Sequence, residues 1–346
     1  MTAKTAFTLL VLVFLILTVQ SAWQLTADVR EESQAPASLT EFDVNASVDQ
    51  RREYWASRIR AVGGGATYEE FAQFIAVRSD TGESHYLSHD VGAALYQELG
   101  VEGLAICDSR FYYGCFHEFS GQVIADMGLE AVSILNESCL ERGGWDGTSC
   151  QHGLGHGLIT AIGYESSDLT QALEICDELK DNEPVNGCQG GAFMEYNVRT
   201  MLAEGGKVRP VGESLADPCD WVGDSYQMSC MFWQPRWWRY GMFADEAGTS
   251  ELFKRMGTFC EEIAINEEVK HSCFSGIGYI TTSETAYDPA TARSLCEATS
   301  EDTSASVHCL AMVASHIKQH SGSEEGAKVC ENLTEGEKTY CEAWAE

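Results

Sequence analysis

Fourteen cysteines, none before Cys107, fall into seven close pairs. Cys107 goes with Cys115, Cys139 with Cys150, Cys176 with Cys188, and Cys219 with Cys230. Cys260 goes with Cys273, Cys296 with Cys309, and Cys330 with Cys341. Members of a pair stand 8–13 residues apart, and first cysteines recur every 32–43 residues. A unit of that length holds two helices and a turn. It is too small to bury a core alone, so successive units must stack on one another.

The sequence around the cysteines repeats as well. LTQALEICDEL, SELFKRMGTFCEEI, PATARSLCEAT and EEGAKVCENL share a helical apolar period and an acid soon after the cysteine. The second cysteine opens another helix-like run, often glycine-bearing, as in CQHGLGHGLITAI, CQGGAFMEY and CFSGIGYI. Strand alternation is not seen over comparable lengths. The reading is an all-α fold, a curved α/α-hairpin solenoid with one local disulfide per repeat. Fourteen cysteines allow many connectivities. Local pairing is the most economical, each bridge closing about 10–14 residues and stabilising by about 2–3 kcal/mol. Zinc-thiolate sites, the rival, favour C-x₂₋₄-C spacing, and exported thiols tend to oxidise.

With such segments as ALEICDELKDNEPVNGCQGG, the chain resembles the secreted, cysteine-rich α/α-repeat proteins, a disulfide-stapled branch of the tetratricopeptide-like superfamily. The resemblance is one of pattern and covers about residues 100–346. It implies a curved helical scaffold presenting a concave face, and no catalytic residue is carried over from it.

A set of paired cysteines points outside the cytosol. The N-terminus agrees: in residues 1–23, Lys4 precedes a nearly unbroken apolar run from Ala6 to Val19. This is a secretory signal peptide with a candidate cleavage site at Val19-Gln20-Ser21, or a retained signal-anchor helix. Both place the body outside, secreted or tethered by that segment alone. Residues 24–47 read as an acidic disordered linker and 48–346 as the helical repeat domain. A helix is expected from Val48 to Arg60, stopped by Gly63-Gly64-Gly65, with Thr67 as the next N-cap and Glu70 as its capping-box partner. The 22 basic and 53 acidic residues leave a net charge of −31, which argues against nucleic-acid binding.

Aligning repeats on the second cysteine brings histidines into columns. The second helices begin CFHEFSGQVI, CQHGLGHGLI and CQGGAFMEYN, and upstream ESHYLSHDVGAAL matches them without its cysteine. His85, His117 and His152 then share one position of three successive helices, and His89 and His156 a second, which Gly121 and Met194 continue. Each His-x₃-His pair lies on one helix face. Random placement of nine histidines predicts about 0.2 such pairs; three occur, the third being His316 with His320. The five aligned histidines are candidate ligands for zinc or copper, with iron as a further option and calcium or magnesium poorly suited. Asp90, Glu118 and Glu195 are candidate acids: ligands, partners that orient a ring, or general bases. His316 and His320 lie in a polar run and read as surface residues; His271 and His308 read as structural.

CMFWQPRWWRYGMF carries Trp233, Arg236, Trp237, Trp238, Arg239 and Tyr240, the composition of an interface or of a platform for a protein or small ligand. Pro235 is expected to interrupt that helix. No G-x-S-x-G elbow, spare thiol or EF-hand loop is present. Asn45, Asn136 and Asn332 lie in N-x-[ST] sequons. Two functions remain: an exported metal protein, with or without metal-assisted catalysis, or an interaction scaffold whose histidines are packing.

Overall fold

A computed structural model describes residues 42–78, 81–198, 209 and 214–345. The signal or anchor segment and the linker up to residue 41 lie outside the described residues. Among the described residues the chain is helical and without strands. No described helix is long and apolar enough to cross a membrane.

Helix α1 (Val48–Val62) starts at a capping box between Ser47 and Gln50. The packed body begins earlier than the linker boundary implies, because Phe42 sits against Tyr54, Trp55 and Phe74. Helix α2 (Gly64–Ala76) corrects the expected N-cap. Gly63 makes the whole turn at φ +89, a conformation that costs glycine little, so the helix restarts at once. Thr67 is buried inside its first turn and donates to the Gly63 carbonyl at 3.0 Å, while Glu70 binds Arg58.

The remaining helices form two layers. The inner layer is α3 (Thr81–Leu99), α4 (Gly114–Met127), α6 (Gly144–Ile162), α8 (Cys188–Asn197), α9 (Gln227–Trp237), α11 (Glu267–Glu284), α13 (Thr303–Ser321) and α15 (Glu335–Ala345), each packed on the next. The outer layer holds α5 (Ala131–Arg142), α7 (Ser166–Asp177), α10 (Ser250–Ile263), α12 (Pro289–Thr299) and α14 (Ser323–Lys328).

All seven expected disulfides form, each joining an outer segment to the first two turns of the following inner helix. Cys107 bonds Cys115 in α4, with 5.5 Å between Cα atoms. Cys139 of α5 bonds Cys150 of α6 at 5.3 Å, and Cys176 of α7 bonds Cys188 of α8 at 5.5 Å. Cys219 bonds Cys230 of α9, Cys260 of α10 bonds Cys273 of α11, and Cys296 of α12 bonds Cys309 of α13, all at 5.6 Å. Cys330, just past α14, bonds Cys341 of α15 at 5.7 Å. No cysteine is free, which leaves no thiolate for a metal.

Neighbouring inner helices touch backbone to backbone. A Cβ on Gly155 of α6 would lie 2.0 Å from the Cys188 carbonyl oxygen, and one on Gly191 of α8 only 1.9 Å from that of His152. The glycines interleaved with the histidines are therefore what lets one helix lie so near the next.

Helix α9 runs through Pro235 without stopping, and a π-helical turn at Trp238–Met242 follows. The proline lacks the N–H that would bind the carbonyl four residues back, and the wide turn absorbs the mismatch. Farther along, the Tyr112 and Tyr287 hydroxyls meet at 3.0 Å across 175 residues. The array is curved enough for its two arms to touch.

Candidate metal centre

Helices α3, α4 and α6 carry the five aligned histidines, and the fold gathers all five. His85, His89 and His117 form one group and His117, His152 and His156 a second; within each group, nitrogens lie inside 4.8 Å of one another. Both groups can hold a metal ion. His89 Nε2–H donates to Nε2 of His85 at 3.2 Å, a proton that a metal ion would have to displace. Two imidazoles bound tetrahedrally at about 2.0–2.1 Å would place their nitrogens about 3.3 Å apart. In the second group the His117 and His156 rings stack at 4.1 Å, and His152 stands 5.0 Å from His156.

What surrounds the rings orients them. Nδ1 of His85 lies 3.1 Å from the carbonyl oxygens of both Phe111 and Tyr112. Carbonyls only accept, so this nitrogen carries the proton and Nε2 presents a lone pair. Those carbonyls are aimed by an unusual backbone: Phe111, Tyr112 and Tyr113 have φ of 58, 52 and 65, three left-handed residues in succession. Such conformations cost about 1–3 kcal/mol each and persist only where the surroundings impose them. His156 donates from Nδ1 to the Glu195 carboxylate at 2.9 Å, with both side chains fully buried. Tyr164 donates to the other Glu195 oxygen at 2.6 Å. This carboxylate–histidine arrangement also turns Nε2 toward the group. His152 lies against the backbone of Asn186 and Gly187.

His117 differs from its neighbours. It is 1% exposed, and neither ring nitrogen has a hydrogen-bond partner. Burial is the first cause depressing the titration of His85, His89, His117 and His152, and repulsion from neighbouring rings adds to it. His85 falls to about 4, and His89, His117 and His152 fall well below the ordinary histidine value. At neutral pH these four rings are uncharged, so each keeps one nitrogen lone pair free of a proton.

The candidate acids do not enter either group. Asp90 pairs with Arg51 at 2.6 Å and Glu118 with Arg52 at 2.6 Å, joining α1 to the histidine helices. Burial raises both carboxyls despite these partners. Glu118 comes no closer than 4.0 Å to Nδ1 of His89. Glu195 orients His156, which is the second of the roles open to it.

The tryptophan–arginine run is not an outward platform. Trp238 is 0% exposed and Trp237 is buried; Trp238 donates to the Leu215 carbonyl at 2.8 Å. Arg239 pairs with Glu284 at 2.9 Å. Of the six residues, only Tyr240 is exposed. These rings fill the wedge that the proline turn opens. Trp233 instead faces inward, 5.5 Å from His152, onto a cavity of about 450 Å³. The first arm contributes His117, His152, Tyr112 and Trp145 to its wall, the second Tyr279, His308 and His316.

The other histidines have partners that spacing did not reveal. His271 and His308 stack at 3.8 Å on adjacent helices, and His308 binds the Tyr340 hydroxyl at 2.8 Å. His316 is turned inward against Tyr279 rather than to solvent, while His320 stacks on Tyr287. Among the sequons, Asn136 is buried and accepts from Gln151 at 2.8 Å, so the folded chain cannot present it for glycosylation. Asn45 and Asn332 are exposed.

No family model matches the chain, and no curated protein or solved structure is significantly similar to it. Fold and site alone define its class: a disulfide-stapled helical repeat protein with two metal-capable histidine groups sharing one ring. Seven disulfides favour a place outside the cytoplasm.

Proposed function

We propose that this is an exported transition-metal protein of the cysteine-rich α/α-repeat kind, whose five histidines hold two ions with His117 between them. One observation carries the reading: His117 is fully buried with both ring nitrogens unpartnered, and it belongs to both groups. A buried polar atom left without a partner costs about 1–3 kcal/mol. Two ions would satisfy both nitrogens if His117 released its remaining N–H proton to solvent and bridged them as an imidazolate.

Imidazole donors suit zinc or copper, and iron less well because no carboxylate joins the groups. Three protein nitrogens per ion leave a fourth position for water or another ligand, as in open zinc sites. His85 and His156 are held by neighbours that fix the tautomer. Glu195 lies nearest of the acids but is taken up by His156 and Tyr164, and the salt bridge of Glu118 to Arg52 keeps that carboxylate from serving as a free base. Metal capture therefore accounts for the site more fully than metal-assisted hydrolysis or oxidation. The scaffold alternative loses the outward platform it relied on, because that platform is buried.

The test is metal content of the full chain, purified without an affinity histidine tag from an oxidising compartment and exposed to zinc or copper. About two ions per chain are expected. His152→Ala/His156→Ala should retain one ion on the α3–α4 side, and His117→Ala should weaken both sites. Equal metal content in all three proteins, or none in the unaltered chain, would overturn the reading.

A further inference from the structure

The cavity between the arms opens through a rim of rings. Lining residues that are also open to solvent mark its mouth: Trp145 is 53% exposed, Trp344 43% and Tyr340 37%. Trp145 sits in the first turn of α6, in one arm, and Tyr340 and Trp344 on α15, at the end of the other. The Trp145 N–H is taken by the Tyr113 hydroxyl, which leaves the ring face rather than its polar edge for a ligand. Trp344 has Tyr340 as its ring neighbour, no nearer than 6.5 Å.

Between these rings the wall is polar, and no lysine or arginine lines it among the described residues. Ser149 and Ser272 donate to the carbonyls of Trp145 and Met228 at 2.7 and 2.8 Å and keep their oxygen lone pairs free. The side chains of Ser275, Ser315 and Gln319 have no hydrogen-bond partner among the described residues. Ser275 stands two residues after Cys273 and Ser315 six after Cys309, the positions that His152 and His156 hold after Cys150. The register that lines one wall with imidazoles therefore offers hydroxyls on the other. Two acids complete the wall: Glu183, which accepts from the Asn186 backbone N–H with one oxygen, and Glu268, exposed in the first turn of α11.

We propose that this cavity binds a neutral mono- or disaccharide, stacked on the indoles at the mouth and hydrogen-bonded to the serine and amide groups between them. A pyranose presents both halves of that chemistry: a flat C–H face for an aromatic ring, and hydroxyls around its edge that donate and accept. The volume of about 450 Å³ falls in the range of small-ligand sites. An anion would meet two carboxylates with no cation on the wall to hold it. A quaternary ammonium needs rings converging on one point, whereas Trp145 and Trp344 come from opposite arms with uncharged polar groups between them. His117 and His152 reach the same wall, but the rings and hydroxyls of the saccharide site are other residues, so binding does not depend on a metal.

Calorimetry on the full chain tests it with maltose, cellobiose and N,N′-diacetylchitobiose. Sorbitol, which has hydroxyls but no ring face, and benzyltrimethylammonium are the controls. Metal-free and zinc-treated protein are both titrated, together with Trp145→Ala, Trp344→Ala and the double variant Ser275→Ala/Ser315→Ala. At least one disaccharide is expected to bind below about 10 mM, and about tenfold more tightly than sorbitol. Each tryptophan variant should weaken that binding about tenfold, and the double serine variant by about the same factor. Disulfide content and melting temperature establish that each variant is folded. Trp344→Ala, at an exposed position on the last helix, carries the test if another variant is not. No disaccharide binding at about 10 mM, either control bound as tightly as the sugars, or undiminished binding in folded Trp344→Ala would overturn the proposal. Trp344-dependent sugar binding in a chain that takes up no zinc would defeat the metal reading and leave this one standing. Zinc uptake without sugar binding would do the reverse.

Discussion

The two arms of the array are built alike and armed differently. In α4 and α6, as in α9, α11 and α13, an inner helix is stapled near its start to the segment before it. The first inward position after the staple holds His117 and His152 in one arm, and Phe232, Ser275 and Ala311 in the other. The next holds His156 in the first arm and Arg236 and Tyr279 in the second. One backbone register thus places histidine rings on one wall and the aromatic rings of Phe232 and Tyr279 on the other. Proximity of histidines is not enough to make a metal site. His271 and His308 lie closer together than any pair in the cluster, yet they stack and belong to neither metal-capable group.

The comparison breaks first where the staples are cut. Replacing Cys139 and Cys150 by alanine, or Cys296 and Cys309, should destabilise the chain by about 2–5 kcal/mol in either arm. Only the first pair should also weaken metal binding, because Cys150 stands two residues before His152. Denaturant melts and zinc titration of both variants separate the two effects. Equal loss of zinc affinity would mean that the arms are not chemically distinct.

Smaller effects are expected at the helix crossings. Gly155→Ala and Gly278→Ala each push a methyl into a facing carbonyl, at Cys188 and Cys309 respectively. Each should cost about 1–3 kcal/mol. Metal affinity should fall in Gly155→Ala alone, since that crossing sets the spacing of the His117, His152 and His156 group. Next, Glu195→Gln should lower zinc affinity about 10–100-fold by loosening the His156 ring. Glu284→Gln, which frees Arg239 in the second arm, should leave it unchanged.

The smallest effect is a pH dependence in the second arm. Burial, aided by Arg236, lowers His316 to about 4. The unfolded chain therefore takes up this proton first. The stabilising contribution of the neutral buried ring is complete above about pH 6.5 and is lost as pH falls toward 4. His316→Gln should flatten the stability curve across that interval, as read by chemical denaturation at successive pH values. An unchanged slope would mean that His316 is not held neutral.

The cysteine spacing made the scaffold readable, and it served as the ruler that aligned the five histidines. Both signals are local and recur with the repeat, which is why sequence alone was enough. The same ruler, carried two repeats farther, would have reached Arg236, but the surrounding tryptophans drew it into a supposed surface platform. The turn at Phe111–Tyr113 has no sequence signature. No aromatic residue prefers a left-handed backbone, so only the surrounding structure imposes it. The Tyr112–Tyr287 contact likewise depends on the summed curvature of the whole array rather than on any one repeat.

X-ray absorption at the zinc edge of the loaded full chain reaches the central claim most directly. The account predicts a shell of about three imidazole nitrogens and one oxygen per ion at about 2.0–2.1 Å. Replacing His117 by alanine should strip nitrogen from that shell. A shell of sulfur or of oxygen alone, or nitrogen coordination that survives the loss of His117 unaltered, would contradict it.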